Sequence, residues 1–203
     1  MMLAGMTIRP AAMLPMLLLI GAATVSAAPA PALLSQCAEC HGDKGVSTHK
    51  DVPSIAGMSA FYFEGQITAY QKAQRPCPNS TVAKTPTDMC AVSKKLDAGQ
   101  IKDLGAYYAA QGWVAAAQTV DAAKVAAGKA IHTASCENCH TKGGSVADDD
   151  AGIVAGQWLP YLELTMQDYK SGKRTMPDKM KPKLEKLSPA DIEAVVQYYA
   201  GEK

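Results

Sequence analysis

The 203-residue chain has almost no net charge, no long apolar run beyond its first thirty residues, and no stretch of alternating apolar and polar residues. Twenty Lys and Arg stand against 19 Asp and Glu, and removing Arg9 evens the count at 19. Such a balance leaves no electrostatic footprint for nucleic acid and no general basic surface. With no later run long enough to cross a bilayer, no membrane span is expected in the body of the chain. Without alternation there is no strand signal, so the expected fold class is all-α.

What is present begins with "MMLAGMTIRPAAMLPMLLLIGAATVSAAPA", where Arg9 precedes an apolar run from Ala11 to Val25 that ends in small residues. The run is short and interrupted by proline, which suits a secretory signal better than an anchor. Val25 and Ala27 fit cleavage after Ala27, because a cut after Ala28 or Ala30 would leave a proline first. A signal over 1–27 implies export, in a bacterium to the periplasm. Six cysteines in an exported chain then point to disulfides or covalent cofactors rather than idle thiols.

Aligning the chain with itself exposes a duplication. At an offset of 99, "CAECH" (Cys37 to His41) falls on "CENCH" (Cys136 to His140), Ala56-Gly57 on Ala155-Gly156, Tyr62 on Tyr161, Tyr70 on Tyr169 and Arg75 on Arg174. After Arg75 the offset drops to 91, and Met89 meets Met180, Leu96 meets Leu187, Ile101 meets Ile192 and Tyr107-Tyr108 meets Tyr198-Tyr199. The first half therefore carries eight extra residues, flanked by Cys77 and Cys90. The expected organisation is a first domain over 28–112, a linker over 113–120 with Trp113 as a packing anchor, and a second domain over 121–203. Domains of about 80 residues fold only marginally unless something fills or staples the core.

The local signals are helical in both halves. Leu33, Leu34 and Cys37 share one helix face that leads into the first motif, and Phe63, Ile67 and Tyr70 share another, matched by Leu162, Met166 and Tyr169. Asp97 with Gln100, and Ser188 with Asp191, read as capping boxes that open the last helix of each half. Leu96 with Ile101, and Leu187 with Ile192, fit the accompanying hydrophobic staple, and Pro189 suits the first helical position.

Cys-x-x-Cys-His is the attachment signal of a c-type haem. Two thiols a turn apart on a helix can add across the vinyl groups of one haem, and the next residue's imidazole then lies under the iron. Cys37, Cys40 and His41 would hold one haem, and Cys136, Cys139 and His140 a second. A zinc ribbon needs its cysteine pairs close together, and a redox dithiol needs a βαβ setting, so neither competing reading fits the spacing or the helical pattern. A low-spin carrier needs a sixth ligand, and a thioether favours ferrous iron. Met89 and Met180 stand at equivalent positions and are the expected axial partners. Met176 is the runner-up in the second half, and Met58 faces Gln157 across the repeat. His49 and His132 have no counterparts and read as surface or structural residues. Arg75 and Arg174 are candidates to pair with haem propionates. Cys77 and Cys90, the two cysteines left, are expected to form a disulfide that closes a short loop beside Met89, worth about 3 kcal/mol, with two free thiols as the alternative.

With "CAECHGDKG", "PSIAGM", "CENCHTKGG" and the paired methionines in view, the chain resembles the di-haem class I cytochromes c of the cytochrome c4 type: two tandem class I cytochrome c domains with two covalent haems c. Its second half, through "GGSVADDDAGIVAGQWLPYL" and "MPDKMKPKL", is similar to the haem subunit of flavocytochrome c sulfide dehydrogenase. That resemblance implies a periplasmic electron-transfer subunit. It would take electrons from an FAD-containing sulfide dehydrogenase subunit and pass them to a soluble cytochrome or oxidase, performing no bond chemistry of its own. In the family the loop proline before Ala-Gly offers its carbonyl to the proximal His. Pro53 matches that position, and Gly152 takes its place in the second half. Two other readings stand beside this one: a free-standing di-haem carrier feeding a terminal oxidase, and a haem enzyme such as a peroxidase, against which the paired Met89 and Met180 argue. Between Lys170 and Lys186 six lysines and Arg174 outnumber Asp178 and Glu185, a local charge able to steer an acidic redox partner.

Overall fold

The computed structural model describes Met2, residues 31–80 and residues 82–203. The expected signal segment and its cleavage site lie outside the described residues, Met2 apart. Every regular element among the described residues is helical. The first half holds α1 (Pro31–His41), a 3-10 turn (Asp43–Gly45), α2 (Ala60–Gln71), α3 (Met89–Ser93) and α4 (Ala98–Ala109). The second holds α5 (Ala122–Ser135), α6 (Thr141–Gly144), a 3-10 turn (Ala147–Asp149), α7 (Leu159–Lys170), α8 (Lys181–Leu184) and α9 (Pro189–Gly201).

The helix starts follow local chemistry. Asp97 and Ser188 both close reciprocal capping boxes, with Gln100 and Asp191 as the third helical residues. Each box satisfies backbone donors that the first helical turn would otherwise leave unpaired. Leu96 and Ile101, the staple pair of α4, are buried in one core cluster with Phe63, Ile67, Leu104 and Tyr108. The second half builds the matching cluster from Leu162, Met166, Leu184, Val195, Val196, Tyr198, Tyr199 and Ala200. There α5 crosses α9 so closely that a Cβ on Gly128 would lie 2.1 Å from the Ala194 carbonyl oxygen. Only a glycine permits that approach.

The repeat extends to the backbone hydrogen bonds. Gly45 O accepts from Ile55 N and Ala56 N, and its counterpart Gly144 O accepts from Val154 N and Ala155 N. Gly57 N donates to Tyr108 O, and Gly156 N to Tyr199 O. In this way the loop after each motif is pinned to the last helix of its half. Residues 113–120 are not free of the body: Trp113 packs on Gly57, while the Gln118 amide donates to Gln157 O and Ala200 O and accepts from Leu159 N.

The halves meet through an isologous interface, in which equivalent residues exchange contacts. Ser54 N donates to Gln157 Oε1 at 3.0 Å, and the equivalent Ile153 N donates to Met58 Sδ at 3.3 Å. Met58 and Gln157 are an unlike pair in the repeat, and each caps the other half's loop. Trp158 Nε1 donates to Ser47 O, and Ser59 Oγ to Asp150 Oδ1. Arg75 donates to Tyr161, and Arg174 hydrogen-bonds the equivalent Tyr62.

Candidate haem sites

In the first half α1 runs unbroken through the motif to His41, and Leu33, Leu34 and Cys37 pack on the core. His41 is 8% exposed, and its Nδ1 lies 2.8 Å from Pro53 O. Because a carbonyl only accepts, Nδ1 carries the proton and Nε2 keeps its lone pair, the tautomer that a metal requires. Burial pushes the imidazole below its usual range, which also keeps it neutral. Met89 opens α3 behind the Asp88 N-cap and packs against the same cluster as Cys37.

In the second half the motif is not helical. The helix α5 ends at Ser135, and Cys136 to Cys139 form a turn, whereas the sequence pattern leads to an expectation of two thiols on one helix. Glu137 accounts for the difference: its carboxylate pairs with His132 behind it and accepts from Lys142 N ahead of it, which folds the segment back. His132 is 1% exposed and also bonds the Tyr199 hydroxyl at 3.0 Å, so it is a structural histidine. His140 is half-buried, and its Nδ1 is buried without a hydrogen-bond partner. Met180 and the runner-up Met176 both border the second core cluster beside Cys136.

The duplicated tyrosine pairs serve the motifs. Tyr108 hydrogen-bonds the Cys37 thiol and Tyr199 the Cys136 thiol, and burial raises both thiols above their usual range. Cys77 and Cys90 are joined in a disulfide that spans 13 positions, with Cα atoms 5.8 Å apart. Within that loop Ser80 Oγ lies 3.5 Å from Cys40 Sγ, which brings the first half's extra residues up to its attachment motif.

Arg75 and Arg174 lie between the halves. Arg174 is 5% exposed, and the guanidiniums sit over the rings of Tyr70 and Tyr169, 4.3 and 4.6 Å from the ring centres. Tyr70 and Tyr169, read from the helical pattern as face residues, each lie under the arginine of their own half, and Tyr169 also borders the second core cluster. Among the described residues neither arginine forms a salt bridge. The imbalance shows at Tyr161: burial alone would raise its phenol, but the guanidiniums of Arg75 and then Arg174 outweigh it and hold the group at about 8. Burying a guanidinium without a counter-charge costs on the order of several kcal/mol, so the cluster calls for anions.

Residues 123–198 match the family described as cytochrome c oxidase, cbb3-type, subunit III. Cytochrome c-552 of Acidithiobacillus ferridurans is 30% identical over 164 residues, 75% of this chain and 69% of that protein. The thiosulfate dehydrogenase electron acceptor of Thiomonas intermedia is 27% identical over 167 residues, 77% of this chain and 73% of that protein. The crystal structure of reduced recombinant cytochrome c4 from Pseudomonas stutzeri superposes with a TM-score of 0.70 at 25% identity, covering 87% of this chain and all of that one. The chain belongs to the cytochrome c family. It has the two-domain, di-haem form, with tandem cytochrome c domains and two covalently bound haems c.

Proposed function

We propose that the chain is a periplasmic electron-transfer protein that accepts electrons from a sulfur-compound dehydrogenase and delivers them to a soluble cytochrome or oxidase. The observation that supports this reading is the interface between the halves, where Arg75 and Arg174, one from each half and neither in a salt bridge among the described residues, meet on Gln66. Cys37, Cys40, Cys136 and Cys139 would anchor the haems, His41 and His140 would bind iron on one side, and Met89 and Met180 on the other. Arg75 and Arg174 would hold the propionates. Bound there, the haems would supply a one-electron couple, and ligation by His and Met together would leave no position for a substrate.

The chain's own residues give the transfer a direction. A hydrogen bond from a ligating imidazole to a carbonyl raises the ligand's basicity and favours ferric iron. His41 has that bond to Pro53 and His140 has none. On this reading the first half would be the entry side and the second the exit side. The exit face is cationic: Lys170, Lys173, Lys179, Lys181, Lys183 and Lys186 are exposed, and Lys183 lies near the Cys136 thiol. Arg174, counted with these lysines in the sequence, is buried and does not belong to that surface. An acidic acceptor would be steered there, and its rate should fall as salt rises.

Two donors fit. The relative from Thiomonas favours a thiosulfate dehydrogenase, and the second half's sequence resemblance favours the FAD subunit of a sulfide dehydrogenase. Mixing the oxidised holoprotein with each enzyme and its substrate decides between them: haem reduction and a stable complex with one identify the donor. Reduction by neither, with ready oxidation by a terminal oxidase, would replace both with the free carrier. Among the described residues no helix is long and apolar enough to cross a membrane.

A further inference from the structure

Gln66 on α2 and Thr165 on α7 occupy the same place in the repeat, 99 positions apart. Each accepts from the arginine of its own half, Gln66 Oε1 from Arg75 Nη1 at 2.7 Å and Thr165 Oγ1 from Arg174 Nη1 at 3.4 Å. Only Gln66 also crosses the interface, where its Oε1 accepts from Arg174 Nη2 at 3.0 Å. The threonine hydroxyl sits on a shorter side chain and makes no matching bond to Arg75. One amide oxygen thus uses both acceptor positions on guanidiniums from different halves. Beside this junction opens a cavity of about 150 Å³ lined by Gln66, Arg75, Arg174, Tyr169, Thr175 and Met176.

We infer that Gln66 is a positioning residue shared by the two haem sites, holding both propionate-facing arginines on one atom. The inference rests on the reading of Arg75 and Arg174 as propionate partners. A charge at this position acts on both sites at similar range and low dielectric, although the residue belongs to the first half. Thr165 accepts from Arg174 and has no bond to Arg75.

The test is a potentiometric titration of the holoprotein, with haem content measured on each variant and the two reduction steps assigned through Met89 and Met180 replacements. Gln66→Glu puts a carboxylate between two guanidiniums, where it ionises and favours ferric iron. Both steps are expected to fall together, whereas Thr165→Asp, whose carboxylate keeps the short reach of the threonine, lowers only the second half's step. A fall confined to the first half's step in Gln66→Glu would overturn the inference. Arg75→Leu and Arg174→Leu test the underlying reading separately: each should lower its own half's step, and no movement in either would remove the propionate assignment itself. Should Gln66→Glu fail to load two haems, the uncharged Gln66→Leu replaces it, with movement of both steps expected and movement of one alone contradicting the shared role.

Discussion

The first motif is a continuous helix whose histidine is tied to Pro53, and the second is a turn in which the histidine Nδ1 has no partner. The two arose from one repeat, so the difference must come from what surrounds them. At Gly152, the position equivalent to Pro53, the backbone is left-handed at φ +76, and an added Cβ would lie 2.5 Å from the Tyr62 ring. Proline cannot adopt that φ, and no side chain fits beneath the ring. Gly152 has a carbonyl of its own, but on this left-handed backbone it does not meet the His140 ring, whose Nδ1 has no hydrogen-bond partner. The first half has instead gained fastening, through its disulfide and the Ser80 contact to Cys40. Joining two copies has left one site braced and the other relaxed.

Replacing one motif should break this comparison most completely. Cys136→Ala with Cys139→Ala is expected to leave one haem per chain instead of two, read by a pyridine haemochrome assay. Two haems retained would mean that the second motif does not attach one.

A smaller change should remove the bracing. Cys77→Ser with Cys90→Ser releases a loop constraint worth about 3 kcal/mol and is expected to loosen Met89 in the first site only, seen as a change in that haem's absorption and a lower melting temperature. Unchanged spectra and melting would leave the disulfide without a part in ligation.

Gly152→Ala should act more modestly, through about 1–2 kcal/mol of left-handed strain and the displaced Tyr62 ring. The interface is expected to loosen, with faster proteolysis of residues 113–120. Resistance equal to the parent chain would show that Gly152 is not held by the packing seen here.

Much of this was legible in the sequence, and the reason is duplication. The all-α class, the helix starts at Asp97 and Ser188 and the tandem domains follow from period, capping and offset, which are local or repeated signals. The docking of one half on the other was not legible. Met58 and Gln157 looked like a mismatch in the repeat, yet each serves the other half's loop. Gln66 carried no signal at all, because its role depends on an arginine 108 positions away. Arg174 looked like part of a lysine-rich surface until the interface buried it. A helical period says which face is apolar, and not which of two apolar partners will cover it.

The central claim is that one repeat produced two haem sites and their interface made them unequal. Spectroelectrochemical titration of the parent holoprotein beside Met89→His and Met180→His tests it most directly. Two one-electron steps are expected, the upper one lowered by Met180→His and the lower one by Met89→His, because the untied His140 leaves the second haem easier to reduce. A single step of two equal centres, or the upper step responding to Met89→His, would contradict the account.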